Sequence, residues 1–235
     1  NKIYLNLYSP VNFNRISIVL LPRYGVLLFL AFTIISMILY GGGTINDPDT
    51  VGYSFTHNFF SDLGKFSTKN LISMIFFTGS LSVTGITFSI YFYNFMNYYS
   101  NDSLGIMSKS ASVLGIIGAL CFAGVGFTPH NLFSDIHIIF VNWAFRSFLI
   151  SAILFTVVLY KDERFSNHYA IGYCMFAVSI FFYILVLEFG PDAKSSDLSL
   201  IFNVLTQKVI ILIFMLSVLF QSFGNSKLAA NNSFK

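Results

Sequence analysis

The chain has 235 residues, of which 55% are apolar, 18% aromatic and only 10% charged, with a mean hydropathy of +0.73 and a formal net charge of +3. Soluble domains carry about 25% charged residues, so the composition excludes an ordinary soluble domain. Membrane spans of about 20 residues each would use most of the chain and leave no room for a Rossmann or P-loop module. The small positive surplus bears on membrane orientation, and no nucleic acid is expected as a partner.

In chain order, residues 1–23 read as a cytoplasmic or interfacial lead-in, because Pro10 and scattered asparagines interrupt them and no signal-peptide core or cleavage site is present. Residues 24–223 hold six apolar runs of spanning length: about Tyr24 to Tyr40, Leu71 to Phe95, Ser110 to Phe127, Ile136 to Tyr160, Ala170 to Phe189 and Leu200 to Phe223. Residues 224–235 read as a cytoplasmic tail. The expected fold is therefore all-α, a polytopic bundle of six transmembrane helices. One long connection, residues 41–69, opens with Gly41, Gly42 and Gly43; the others are short and force neighbouring helices antiparallel. Cys121 and Cys174 lie in apolar runs, where free thiols behave as small hydrophobes.

An even number of spans puts both termini on one side, and Lys/Arg excess marks the cytoplasmic side. Lys2, Arg15, Arg23, Lys109, Lys161, Arg164, Lys227 and Lys235 fall with the termini, against Lys65, Lys69 and Lys194 opposite. The expectation is a multi-pass plasma-membrane protein with both termini cytoplasmic.

The opposite, outer side carries a near-repeat, HNFFSD at 57–62 and HNLFSD at 130–135, each shortly before a helix. The repetition suggests that the first two helices and the next two are related hairpins. Three readings of the motif are open: architecture, a metal or acid/base site, and a polar pocket without metal. As architecture, Ser134 or Asp135 caps the fourth helix and Phe59, Phe60, Leu132 and Phe133 anchor at headgroup level. As chemistry, His57, Asp62, His130, Asp135 and His137 supply imidazoles and carboxylates, and His57, His130, Asp135 and His137 are the set that could hold zinc or act as acid and base.

Within the spans lie two cations, Arg146 and Lys208, each roughly 12 to 15 Å below the outer boundary at about 1.5 Å per residue. An intramembrane cation normally faces a partner or a water-filled cavity. Asn142 and Arg146 share a helical face with Asp135, and Gln207 and Lys208 follow Ser199 and Asn203 on the sixth helix. Facing each other, these stripes would form a cationic, amide-lined cleft in the outer leaflet with Glu188 at its rim, suited to an anionic headgroup. The alternatives are polar glue that holds the bundle together and a proton or ion pathway, against which stands the lack of acids deep in the helices. Gly79, Ser82 and Gly85, like Gly115, Gly118 and Ala119, read as small residues for close helix approach.

The segment HNFFSDLGKFSTKNLISMIFFTGS and the later GFTPHNLFSDIH resemble the membrane family catalogued as "domain of unknown function 998". The resemblance rests on Ser61, Asp62, Leu63 and Gly64 after the first helix, then Gly126, Phe127, Pro129 and His137 at the third-to-fourth connection. The layout is similar to the wider DRAM- and Frag-like six-helix superfamily, which includes lipid-remodelling proteins of GPI-anchor maturation. That resemblance implies the six-helix fold and a lipid-related role. Lys208 departs from the eukaryotic relatives, which tend to be acidic near that position.

Three functions follow as expectations. The first is binding of a lipid headgroup or amphiphile by Arg146, Lys208, Asn142, Gln207 and Glu188, with membrane lipids as partners and no cofactor. The second is a membrane-embedded, zinc-dependent hydrolase at His57, His130, Asp135 and His137. The third is an accessory subunit of a larger membrane assembly.

Overall fold

The computed structural model describes residues 15–98 and 104–230. The expected lead-in before Arg15 and the end of the tail after residue 230 lie outside the described residues. Among those described, six helices are long and apolar enough to cross a membrane. They are α1 (Leu21–Ile38), α2 (Leu71–Tyr98), α3 (Gly105–Phe127), α4 (Ser134–Lys161), α5 (Asn167–Phe189) and α6 (Asp197–Ala230). Between 28% and 44% of each apolar window is buried inside the bundle; the remainder is apolar surface that calls for lipid as its solvent. The chain is an all-α, multi-pass integral membrane protein. Consecutive helices pack on one another, and α6 returns to α1 to close the ring.

Phenylalanine fills the interior. Phe214 on α6 sits among Phe88, Phe122, Phe148 and Phe176, with ring centroids 5.2, 5.9, 4.8 and 5.3 Å away. Such rings need small residues opposite them. A Cβ at Gly118 would stand 2.9 Å from the Phe148 ring, and one at Gly85 would stand 2.8 Å from the Ala119 carbonyl oxygen. These glycines let α2, α3 and α4 approach closely, the packing role expected of them.

The first span starts earlier than the expected Tyr24. A π-helical turn, Ile16–Leu20, runs directly into α1. Pro22 is the reason for the wide turn: it has no N–H and its ring crowds the carbonyl of residue 18. That carbonyl of Ile18 accepts a hydrogen bond from the fully buried Asn225 side chain at 3.0 Å. Arg23 meanwhile donates to Ser222 Oγ at 3.0 Å and lies over the Phe223 ring. Thus α1 and α6 are clasped at the end of the bundle where the described residues begin and end. The last span correspondingly continues past the expected Phe223.

The other end of the bundle is covered by residues 39–70, which include a 3₁₀ helix, Phe60–Gly64. Phe60 and Leu63 are buried, with the Phe60 ring between Phe29 of α1 and Phe77 of α2 at 5.8 and 5.3 Å. We call this the capped end.

Candidate functional site

Asn58 is the hub of the cap. Its side chain is fully buried; Oδ1 accepts from the Ser54 amide at 2.9 Å. Its Nδ2 donates to the Gly43 carbonyl at 2.7 Å and to Asp62 Oδ2 at 3.2 Å. Gly42 and Gly43 have φ of 117° and 92°, which only glycine adopts cheaply, and this turns the chain so that the Gly43 carbonyl meets Asn58. Asp62 Oδ2 also accepts from the Phe59 amide at 2.7 Å. The 3₁₀ helix is held to α6 by Gln207, whose Oε1 accepts from the Phe60 amide at 2.7 Å.

The second motif copy docks on the first. Asn131 makes two hydrogen bonds to the backbone of Phe66, each 2.9 Å. His130 Nε2 stands 3.6 Å from Asp62 Oδ1, longer than a formed hydrogen bond. Burial raises the Asp62 pKa, with Asn58, the Phe59 amide and the charges of Lys65 and Lys208 pulling the other way. Burial lowers that of His130, with Lys65 adding to the effect. The lowered His130 pKa favours the neutral imidazole, so the contact is not a fixed ion pair. Burial, reinforced by the Asp62 charge, also pushes the Tyr40 and Tyr53 hydroxyls up.

The expected metal set is dispersed. His57 Nε2 faces Asp197 Oδ1 at 3.2 Å, and its Nδ1 faces Thr56 Oγ1 at 2.8 Å. His137 Nδ1 pairs with the Thr128 carbonyl at 2.6 Å, and its ring lies 6.0 Å from that of His130. Asp135 is exposed in the first turn of α4. Among the described residues, no three His, Cys, Asp or Glu side chains gather closely enough to hold a metal ion. Nor does Ser134 or Asp135 cap α4: Phe133 occupies the N-cap position without a side-chain hydrogen bond. The short turn over Pro129, whose carbonyl accepts from Leu132 and Phe133 at 3.0 and 2.9 Å, already fixes the chain there. Of the remaining motif residues, Gly64 lies against the Phe77 ring, and Ser61 and Gln207 line a small inner cavity.

The two intramembrane cations have different surroundings. Arg146 is bound to Glu188 of α5 and donates to the Asn142 carbonyl at 3.4 Å. Lys208 has no carboxylate within ion-pair distance among the described residues. Its Nζ donates to the Asn58 carbonyl at 2.6 Å and lies 5.4 and 5.1 Å from the ring centroids of Tyr53 and Phe55. Each ring offers a cation its negative face.

Lys208 lies at a groove of about 340 Å³ between α1 and α6, and Arg146 does not line it. The single cleft expected to hold both cations is thus replaced by an ion pair on α4 and α5 and a separate, one-lysine groove. Apart from Lys208 and Thr33, the groove is lined by apolar side chains, among them Phe29, Ile34, Met37, Leu212 and Met215. Thr33 Oγ1 is buried without a hydrogen-bond partner, although a helical threonine commonly bonds a carbonyl one turn back. A second groove, about 330 Å³, lies between α4 and α5, is lined by Leu149, Ile153, Val178 and Phe181 among others, and contains no charged residue.

Asn58, Tyr53, Phe55 and Thr33 were not singled out by sequence. Asn58 carried a signal, as the residue after the histidine in both motif copies; the aromatic pair did not, in a chain with 29 Phe and 13 Tyr. Comparison with protein-family models, curated proteins and solved structures gives no match to this chain.

Proposed function

We propose that this protein binds an anionic amphiphile in the membrane, with the apolar chain in the groove between α1 and α6 and the headgroup at Lys208. The observation that carries the reading is the combination of an apolar groove, a lysine at it with no carboxylate within ion-pair distance among the described residues, and a buried Thr33 hydroxyl without a hydrogen-bond partner in its wall. An ammonium has three donors; one is used on Asn58, leaving two for an anion. Ligand pockets commonly combine apolar walls with a few placed polar groups.

The Lys/Arg distribution supports an outer-leaflet location in the plasma membrane, with cytoplasmic termini. Membership of the "domain of unknown function 998" family is part of the same proposal, through the residues Ser61, Asp62, Gly64, Pro129 and His137. The test is native mass spectrometry of protein extracted from its membrane. Wild type carries anionic lipid and Lys208→Leu loses it, while Arg146→Leu retains it; equal lipid on Lys208→Leu and wild type would overturn the proposal.

A further inference from the structure

The groove offers a headgroup one cation and no second one. Among the described residues Lys208 is the sole charged one in its lining, and Arg146 is occupied by Glu188. The nearest acid acts against additional negative charge. Asp62 is tied to Lys208 through Asn58, whose carbonyl accepts from Nζ at 2.6 Å and whose Nδ2 donates to Asp62 Oδ2 at 3.2 Å. Lys65, Tyr40, Tyr53 and His130 are the other titratable groups around that carboxylate. A buried charge is tolerated when it is paired and is costly when it is not. The first negative charge of a ligand would therefore be neutralised by Lys208, whereas a second would be desolvated without a partner and repelled by Asp62.

From this geometry, and resting on the proposed function above, we infer that the groove selects amphiphiles carrying a single negative charge, with Asp62 as the residue that enforces the selection. Singly charged headgroups include carboxylates, sulfonates and phosphodiesters; terminal phosphates are doubly charged above their second pKa of about 6. Asp62 does not line the groove and touches no headgroup, so its effect is electrostatic, exerted on Lys208 through Asn58. Specificity of this kind is a difference of affinities produced by a repulsive group placed against the wrong ligand.

The experiment measures binding of hexadecanesulfonate, hexadecyl phosphate and hexadecanol to the full chain in neutral detergent at about pH 8, where the phosphate is a dianion. Wild type binds the sulfonate best, the phosphate about tenfold more weakly, and the alcohol weakest. Asp62→Asn, which preserves side-chain shape, shifts the sulfonate-to-phosphate ratio about tenfold toward phosphate. A measurement on wild type needs no variant to fold: at about pH 5 the phosphate is a monoanion and its affinity approaches that of the sulfonate, measured alongside. A phosphate dianion that binds as tightly as the sulfonate at the higher pH, or a ratio unmoved by Asp62→Asn, overturns this inference alone. Sulfonate binding no tighter than that of hexadecanol overturns the proposed function with it.

Discussion

Two lateral grooves among the described residues are of nearly equal size, about 340 Å³ between α1 and α6 and about 330 Å³ between α4 and α5. Both are walled mainly by aliphatic and aromatic side chains. They differ in one charge. The first has Lys208 under two aromatic rings and a backbone carbonyl; the second has none, and the nearby cation of α4, Arg146, is bound to Glu188. A cation in a membrane protein is therefore informative only together with its partner. Arg146 and Lys208 look alike in sequence, at similar depth, yet one is already neutralised and the other is held by dipoles and ring faces that leave its charge available.

Substitutions that remove this difference should rank by how much of the cap they disturb. The largest effect is expected from Asn58→Ala, which removes three side-chain hydrogen bonds from a fully buried hub. We expect a loss of about 2 to 4 kcal/mol of stability, read by thermal unfolding in detergent, with amphiphile binding weakened as the loosened cap no longer holds the residue 58 backbone carbonyl against Lys208. Next is Lys208→Leu, which makes the two grooves chemically alike and should lower affinity for hexadecanesulfonate by about tenfold or more, the worth of one charge-assisted hydrogen bond.

Filling the groove comes third. Leu212→Trp, on the lipid-facing part of the α1 and α6 groove, should weaken binding several-fold without lowering thermal stability, whereas Ile153→Trp in the other groove should leave affinity unchanged. The smallest effect is expected from Arg146→Leu. Both side chains of that ion pair are about 40% exposed (40% and 43%), so its loss should cost about 1 kcal/mol or less. It should alter sulfonate affinity by less than about twofold.

The six spans were legible because apolar runs of membrane length are the strongest signal a sequence carries, and the small residues that let helices approach closely followed from their spacing; the rings they face did not. What escaped was the pairing of polar groups brought together from distant segments. The motif illustrates this. Its two copies are nearly identical, yet Asn58 is buried as a hub while Asn131 clamps the exposed backbone of Phe66; His57 meets Asp197 while His130 meets the Asp62 of the other copy. Identical letters acquire different roles because the first copy sits under the cap and the second docks against it.

The intramembrane cations show the same limit. Helical spacing correctly put Asn142 and Arg146 on one stretch of α4, and Gln207 beside Lys208 on α6, but it could not say which neighbour each would face. Gln207 proved to hold the 3₁₀ helix through the Phe60 amide, a structural role invisible without the cap. Lys208 was prominent because an intramembrane lysine is costly. Its groove was not, because the wall from α1 is separated from the wall from α6 by most of the chain. The early start of α1 is a further case: Pro22 looks like a boundary in sequence, and it is carried inside the helix by a π turn together with Asn225 from the far end of the chain.

The most direct test maps where a photoactivatable hexadecyl sulfonate crosslinks in the wild-type protein. The account predicts labelling of α1 and α6 around Ile34, Met37, Val209 and Leu212, competed by unlabelled hexadecanesulfonate and reduced in Lys208→Leu to the level found in the groove between α4 and α5. Equal labelling of the two grooves in wild type, around Ile34 and Leu212 on one side and Ile153 and Val178 on the other, would contradict it.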